Sequence, residues 1–510
     1  MRAGKELTID AGTAGQMTQQ QLEATLWRAA NALRGHVDPG DFKAYVFPVM
    51  FFKWICDTHD FHHARALEDW GDDLTDEVEA DYQPFTVPKG SSWRDVRETA
   101  MNIGAKLATS LHKLQQANPD LVGVFGDVNW ANKDRLPESA LVALLETFHE
   151  VPLDPEHVRG DMLGAAYEYL LREFAEASGK KAGEFFTPRH VVHLLVRLLD
   201  PQPGESVGDP ACGSAGMLVE TVNAVRENGG DPRTLTLYGQ EVNLTTAAIA
   251  KMNLYLHGLE DFTIVRGDTF REPKLLDGAA LRKLDVTIAN PPFSLQNWGA
   301  ADWANDPYGR VTCGVPPAKN GDYAWIQHMI ATMRPETGRV GVVMPHGVLF
   351  RGGKEGAIRQ CLIEKDLLEA VIGLPTNLFY STSIPVCLLI FRAKKAPERA
   401  GKVLFVDATA RFQPGKNQNT LSDADVDAID AAYKQGVDVD GEDGLHLRLV
   451  DLAEVEKNGF DLNIGRYIQT EQAAEVDVEA ALAAYRDARS ALRSVEVELD
   501  RKLRAAGFDA

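Results

Sequence analysis

Four consecutive residues, Asn290-Pro291-Pro292-Phe293, carry the most specific chemistry in this chain. They follow directly on LDVTIA, a β-rich apolar run that reads as a strand. Two prolines in a row restrict φ and hold the backbone extended and rigid. The Asn290 side-chain oxygen and the Pro291 carbonyl can then each accept a hydrogen bond from one NH2 group. Holding both protons of a planar amine orients its lone pair toward an incoming methyl group and favours loss of conjugation at the transition state. Phe293 offers a face on which a flat base stacks.

Three other places have matching chemistry. The segment Asp209-Pro210-Ala211-Cys212-Gly213-Ser214-Ala215-Gly216 follows a short strand and precedes a helix, MLVETVNAV. Its glycines allow a tight turn and close approach of a ligand, and the helix start offers free N–H groups. Neither a P-loop GK[ST] nor a GxGxxG fingerprint is present. The segment is therefore either a cradle for a nucleotide-like ligand or a tight turn. Glu241 ends the strand LTLYGQE, roughly 25–30 residues on, where an acidic residue accepts hydrogen bonds from two ribose hydroxyls. Alone it would read as a solvated carboxylate; its spacing from the glycine turn favours binding. Asp268 ends FTIVRGD and either accepts a hydrogen bond from a ligand's adenine amine or caps a turn.

Other reactive side chains read as structural. His59, His62 and His63 have no carboxylate or cysteine pattern to complete a metal site, so surface histidines and no metal are expected. His190 and His193 are expected to be structural. Cys212 reads as a small buried loop residue, since amine chemistry of this kind needs no nucleophile.

The elements that must position these residues change character along the chain. Residues 15–165 read as a helical domain. Within it Leu22, Leu26, Ala29, Ala30 and Leu33 recur at helical spacing until Gly35, and Asp38-Pro39 caps a second apolar helix through Ile55. From Gly183 short β-rich runs alternate with helical ones: Ser206–Pro210, Leu235–Glu241, Thr263–Asp268, Asp285–Asn290, Arg339–Pro345, Ala370–Pro375, Val386–Arg392 and, after a loop, Val403–Asp407. That alternation predicts an α/β fold with a mostly parallel sheet over residues 166–470. Such sheets bind ligands at the carboxyl ends of their strands, where the residues above fall. Residues 412–447, rich in Gly, Asp, Gln and Asn, read as a loop-rich excursion. Residues 471–510 read as a long helix whose Val478, Leu482, Tyr485, Ala488, Leu492, Val495, Leu499 and Leu503 form an apolar seam.

Composition narrows the function. With 510 residues the chain exceeds one compact core. Its likeliest membrane segment, Phe47 to Cys56, is too short and contains Lys53, and the N-terminus does not resemble a secretory signal. The 5 cysteines form no CxxC pair and read as reduced thiols of a cytoplasmic protein. A net charge of -21 argues against a strong solitary grip on duplex DNA, which needs a basic face.

The motif NPPF and the glycine-rich turn before it resemble the amino-methyltransferases of DNA. Glu184-Phe185-Phe186-Thr187-Pro188-Arg189, just ahead of the first strand, looks like that family's segment over the methionine end of S-adenosyl-L-methionine. The order of segment, glycine turn, Glu241, Asp268 and NPPF is that of the gamma-type adenine-N6 enzymes. Gly321-Asp322-Tyr323-Ala324-Trp325, Met344-Pro345-His346-Gly347 and Gly373-Leu374-Pro375 with Asn377-Leu378-Phe379-Tyr380 resemble later segments of the modification subunit of type I restriction-modification systems. Leu26-Trp27 through Pro39 looks like its N-terminal helical domain. The similarity covers roughly residues 22–395 and continues more weakly to Asn463–Ile468.

The resemblance implies a Rossmann-like class I methyltransferase fold and S-adenosyl-L-methionine as cofactor. It implies double-stranded DNA as substrate and transfer to the N6 amine of adenine. It implies a separate specificity subunit flanked by two methyltransferase subunits, with a restriction subunit able to join. It places Asn290, Pro291, Pro292 and Phe293 at the reaction. Glu184 to Arg189, Asp209, Ala211, Gly213, Ser214, Ala215, Gly216, Glu241, Asp268 and Asn290 would hold the cofactor. Ala215 departs from the glycine common there, and little harm is expected from so small a residue. The C-terminal seam would contact the specificity subunit, or pack on its own domain. Competing readings are methylation of cytosine N4 or of a glutamine amide, a solitary enzyme that reads its own target, and a scaffold that only binds cofactor.

Overall fold

The computed structural model describes residues 17–158, 160–177, 187–379, 384–416, 418–436 and 444–468. Beyond these it describes 485–486, 488–490, 492–493, 495–497, 499 and 501–502.

The N-terminal helices are α1 (Gln19–Asn31), α2 (Phe42–Trp70), α3 (Asp76–Tyr82), α4 (Trp93–Arg97), α5 (Ile103–Ala117), α6 (Glu138–His149) and α7 (Gly160–Ala177). Thr18 caps α1 in a reciprocal box with Gln21, which satisfies two backbone donors that a helix start leaves free. The second helix does not stop at Ile55. It continues to Trp70 and ends at Gly71, whose φ of +53° breaks the pattern. Its later turns, THDFHHARALEDW, are mostly polar because they leave the core, so an apolar run alone understates the length. Phe47, Phe51 and Phe52 of α2 join α1, α5, α6 and α7 in one apolar cluster.

Helices α8 (Arg189–Leu199), α9 (Gly216–Glu227) and α10 (Leu244–Leu256) alternate with β1 (Ser206–Asp209), β2 (Thr236–Glu241) and β3 (Phe262–Arg266). A small antiparallel pair, β4 (Leu276–Asp277) and β5 (Ala280–Leu281), precedes β6 (Val286–Ala289). Then come α11 (Ala300–Trp303), α12 (Asp322–Thr332), β7 (Arg339–Pro345), α13 (Gly347–Phe350), α14 (Lys354–Glu364), β8 (Leu368–Gly373), β9 (Val386–Arg392) and β10 (Lys402–Asp407). The chain continues through α15 (Asp423–Gln435), β11 (His446–Asp451) and α16 (Leu452–Lys457).

Nine strands form one sheet in the order β11-β10-β8-β9-β7-β6-β1-β2-β3. It is parallel from β7 to β3, while β9 and β11 run antiparallel to their neighbours. This is the Rossmann-like α/β fold expected from the alternation of elements. The chain leaves β1 toward β2 and β3, then returns to lay β6 on the other side of β1. Such a reversal opens a crevice beyond the strand ends, and here the crevice lies between the glycine turn after β1 and the NPPF segment after β6.

Helix α10 joins the two cores. Ile249, Met252 and Tyr255 belong to the helical cluster, while Ala247, Ala250 and Leu254 belong to the sheet cluster. Its apolar surface on both sides is the pattern of a helix buried between layers.

The excursion 412–447 is not loop throughout. It contains α15 and the first residues of β11. Ser422 and Asp425 cap α15 reciprocally, and Val426, Ile429 and Tyr433 bury its inner face. Few apolar residues suffice when a short helix buries one narrow stripe.

The cysteines also differ from expectation. Cys313 and Cys361 are joined in a disulfide with Cα atoms 5.7 Å apart, while Cys56, Cys212 and Cys387 are free and buried. The partners lie 48 residues apart, on the loop between α11 and α12 and on α14, so the sequence offers no local pattern for the pair. No described helix is long and apolar enough to cross a membrane.

The C-terminal residues from Gly465 form a separate unit. Of the expected seam, Tyr485, Leu492, Val495 and Leu499 are exposed. Val478, Leu482 and Leu503 lie outside the described residues.

Candidate active site

A cavity of ≈ 320 Å³ opens at the carboxyl ends of β1, β2, β3 and β6. Thr187, Asp209, Ala211, Gly213, Ser214, Gly216, Glu241, Asp268, Asn290 and Pro292 line it. Apart from Thr187, just ahead of α8, these residues distant in sequence meet because they sit at or just beyond strand ends.

The turn after β1 is held from three sides. Gly213 has φ +53°, and its N–H donates to Glu241 Oε2 at 3.2 Å. Asn253 of α10 donates to the Ser214 carbonyl at 2.9 Å. Cys212 is buried against Gly239, where an added Cβ would lie 2.8 Å from its sulfur. Ala215 is fully buried with φ +64°. This corrects the expectation that alanine is harmless there. The position is left-handed, and a Cβ in that region costs about 1–2 kcal/mol.

The carboxylates of this wall sit in a poorly solvated place. Asp209 is almost fully buried and accepts from the Ala211 N–H at 2.9 Å. Burial pushes its pKa up to about 8; the Ala211 hydrogen bond opposes the rise and the nearby Glu241 adds to it. Glu241 also accepts from the Asn243 N–H at 2.7 Å. Burial raises its pKa against the pull of the Asn243 and Gly213 amides. Asp268 caps the turn, accepting from the Phe270 N–H at 2.9 Å and pairing with Arg271 at 2.6 Å, and it also lines the cavity.

On the opposite wall Asn290 donates through Nδ2 to Thr187 Oγ1 at 2.8 Å. Its Oδ1 is buried and has no hydrogen-bond partner. Pro291 is buried and Phe293 half-buried. The Phe293 ring lies 6.4 Å from that of Phe379, tilted by 67°. The next loop is tied down by a fully buried carboxylate: Ser294, at φ +52°, donates its N–H to Asp322 Oδ1 at 2.6 Å, and Arg351 pairs with the other Asp322 oxygen. Phe270, Trp298 and Trp325 line the cavity as one aromatic cluster, with Phe270 and Trp325 centroids 4.1 Å apart. Arg310 braces it, stacking on Trp303 and donating to the Thr269 and Phe270 carbonyls at 2.8 and 2.9 Å.

Some expected residues stand elsewhere. Pro188 starts α8 and Arg189 is exposed; both face a neighbouring cleft rather than this cavity. Glu184, Phe185 and Phe186 lie outside the described residues. Among the other histidines, His63 pairs with Glu79 and His193 with Glu220. Sequence reasoning gave no role to Glu168 of α7, Asp322 or Phe379. Asp322 and Phe379 sit in segments whose resemblance was visible, but only the fold shows what they touch. Nothing in sequence marks Glu168 as a cavity residue; burial and the nearby Glu220 push its pKa up to about 7 against Arg189 and Arg172.

Comparison with known proteins gives a consistent picture. The N-6 DNA methylase family matches residues 158–476, and the HsdM N-terminal domain matches residues 22–148. The chain is similar to the type I restriction enzyme MjaVII methylase subunit of Methanocaldococcus jannaschii, with 36% identity over 78% of this chain and 68% of that protein. It is similar to the HindI methylase subunit of Haemophilus influenzae, with 30% identity over 83% of this chain and 100% of that protein. A crystal structure of the type I restriction-modification methyltransferase subunit from Streptococcus thermophilus matches with a TM-score of 0.78 at 30% identity, over 89% of this chain and 100% of that one.

Proposed function

The chain belongs to the N-6 DNA methylase family, as the methylase subunit of a type I restriction-modification system, and on that premise we propose how its cavity methylates the N6 amine of adenine in DNA. The observation that carries the reading is the Asn290 amide oxygen, buried and unpartnered at the wall of a cavity that Glu241 and Asp209 also line.

The cofactor assigned to the cavity is S-adenosylmethionine, which when bound supplies a methyl group on a positively charged sulfur and leaves as S-adenosylhomocysteine. The residues present fit it. Glu241 accepts one backbone N–H on each oxygen and keeps lone pairs for ribose hydroxyls. Asp268 lines the same wall, and the raised pKa values of Asp209 and Glu168 would fall beside a bound cation. Phe270 and Trp325 offer aromatic surface for a purine.

Adenine stacked in a duplex is out of reach, so the base turns out into the site. Phe293, with Phe379 beside it, provides the stacking surface. Asn290 Oδ1 and the Pro291 carbonyl each accept one proton of the amine, and the lone pair is left facing the cavity. No nucleophilic side chain and no strong base are required, because the amine becomes acidic only once it carries the methyl group, and that proton then leaves to water.

DNA and a separate specificity subunit are the partners of this reading, with two methylase subunits on each specificity subunit and a restriction subunit able to join. The net charge of -21 and the exposed apolar side chains of Leu492, Val495 and Leu499 support it. The cytoplasm, where DNA is accessible, is the compartment. Mass spectrometry of nucleosides from DNA incubated with the chain tests the whole reading. N6-methyladenine is expected at defined sites only when the specificity subunit is added. N4-methylcytosine as the product, or efficient site-specific methylation by the chain alone, overturns it.

A further inference from the structure

Thr187 lines the cavity and touches its proposed reacting side through Asn290. We propose that Thr187 is a positioning residue for Asn290: its hydroxyl holds the amide so that the oxygen, not the nitrogen, faces the target amine. The inference rests on the role proposed for Asn290.

An asparagine amide has two ends of nearly equal size and opposite function, an acceptor oxygen and a donor NH2. Only the oxygen serves here, because the substrate presents N–H groups. Turned over, the amide would aim its own protons at those of adenine. Proline at 291 and 292 fixes the backbone of the segment but leaves rotation of the Asn290 side chain open.

The hydrogen bond from Asn290 Nδ2 to Thr187 Oγ1, at 2.8 Å, supplies the missing restraint. It occupies the nitrogen and leaves Oδ1 buried without a partner. A hydroxyl can serve either end of an amide, so the bond alone does not choose. The choice comes when the amine arrives, since only one orientation then satisfies both ends. Thr187 makes that orientation cheap by accepting the nitrogen that would otherwise be buried without an acceptor.

The position of the hydroxyl is itself constrained. Thr187 precedes Pro188, which biases it to an extended backbone, and Pro188 opens α8. Val191, Leu194, Leu195 and Leu198 anchor that helix in the sheet cluster, and His193 ties it to Glu220 of α9. The amide of Asn290, just beyond β6, is thus referenced to a helix that packs on β7 and α9.

The test uses Thr187→Val, which keeps the shape and removes the hydroxyl, and Thr187→Ser, which keeps the hydroxyl. Each is assembled with the specificity subunit and assayed for methyl transfer, with cofactor affinity measured separately by calorimetry. In Thr187→Val kcat is expected to fall about five- to tenfold, the worth of one neutral hydrogen bond, and because Thr187 also lines the cavity assigned to the cofactor, any accompanying loss of cofactor affinity is expected to be smaller than the loss in kcat. Thr187→Ser is expected to stay within about twofold of wild type in both. Adding Thr187→Val to Asn290→Ala is expected to cost nothing further, because two residues that act through one group are not additive. Wild-type kcat in Thr187→Val, an equal loss in Thr187→Ser, an additive double variant, or a loss confined to cofactor affinity would each overturn the proposal. If Asn290→Ala itself turns over at the wild-type rate, the role of Asn290 falls first. If Asn290→Ala is crippled and Thr187→Val is not, only the positioning role falls.

Discussion

On the β1–β2 side of the cavity the carboxylates of Asp209 and Glu241 already accept backbone N–H groups, whereas on the β6 side the amide oxygen of Asn290 accepts nothing. The first wall is shaped by its own hydrogen bonds and keeps its form without a ligand. The second holds a buried acceptor whose desolvation costs about 1–3 kcal/mol until a donor reaches it. The difference separates two tasks. In the proposed reaction, the preformed cradle would hold the ligand, and the incomplete acceptor would be filled only by the reacting amine.

The largest effect that would break this comparison lies on the β6 side. Asn290→Ala is expected to lower turnover by about 100-fold or more, by analogy with removal of one preorganised transition-state hydrogen bond, while cofactor affinity stays nearly unchanged. Wild-type turnover would show that the vacant acceptor has no part in the reaction.

The next effect lies on the other wall and should appear in binding. Glu241→Ala removes acceptors assigned to the ribose and also the anchor of the Gly213 amide. Cofactor affinity is expected to weaken by about 1.5–3 kcal/mol, or roughly 10- to 100-fold, as for hydrogen bonds to a charged group. Calorimetry with unchanged affinity would return Glu241 to a purely structural role.

The smallest effect sharpens the contrast through pH. Burial raises the folded-state pKa of Asp209 to about 8, far above the ordinary carboxylate value. Below the unfolded value of about 4 both states are protonated and the group is neutral to stability. Between about 4 and 8 the unfolded chain ionises and the folded one does not, so stability drains away as pH rises, and above 8 the loss levels off. Asp209→Asn keeps the acceptor for Ala211 and removes the ionisation. The cofactor-free variant is expected to melt on the order of 5 °C above wild type at pH 9 and to lose most of that advantage at pH 4. Parallel melting curves at both pH values would mean that Asp209 is better solvated than its burial implies.

Much of the scaffold was legible in sequence because the signals are local. The strands Arg339–Pro345 and Val386–Arg392 stand at the bounds their apolar runs suggested. The glycine turn and NPPF stand at strand ends because glycine and proline act on the backbone where they occur. Other local signals were present and outweighed. Ser422 with Asp425 is a capping-box pattern, yet the polar composition around it hid α15. The antiparallel insertion of β9 between β7 and β8 left no local trace, since strand order depends on which edges meet.

The sequence by itself determined the NPPF segment proposed as the amine clamp, the glycine turn proposed as the cradle, and the alternation of strands and helices, because each depends on residues adjacent in the chain. Tertiary structure alone decided which distant groups complete them. It set Thr187 against Asn290 across 103 residues, Asp322 beneath Ser294, and Cys313 beside Cys361. It also placed Pro188 and Arg189 on a neighbouring cleft. The physical reason is that hydrogen bonds and burial act over a few ångströms in space, and the chain brings such pairs together only through the packing of whole elements.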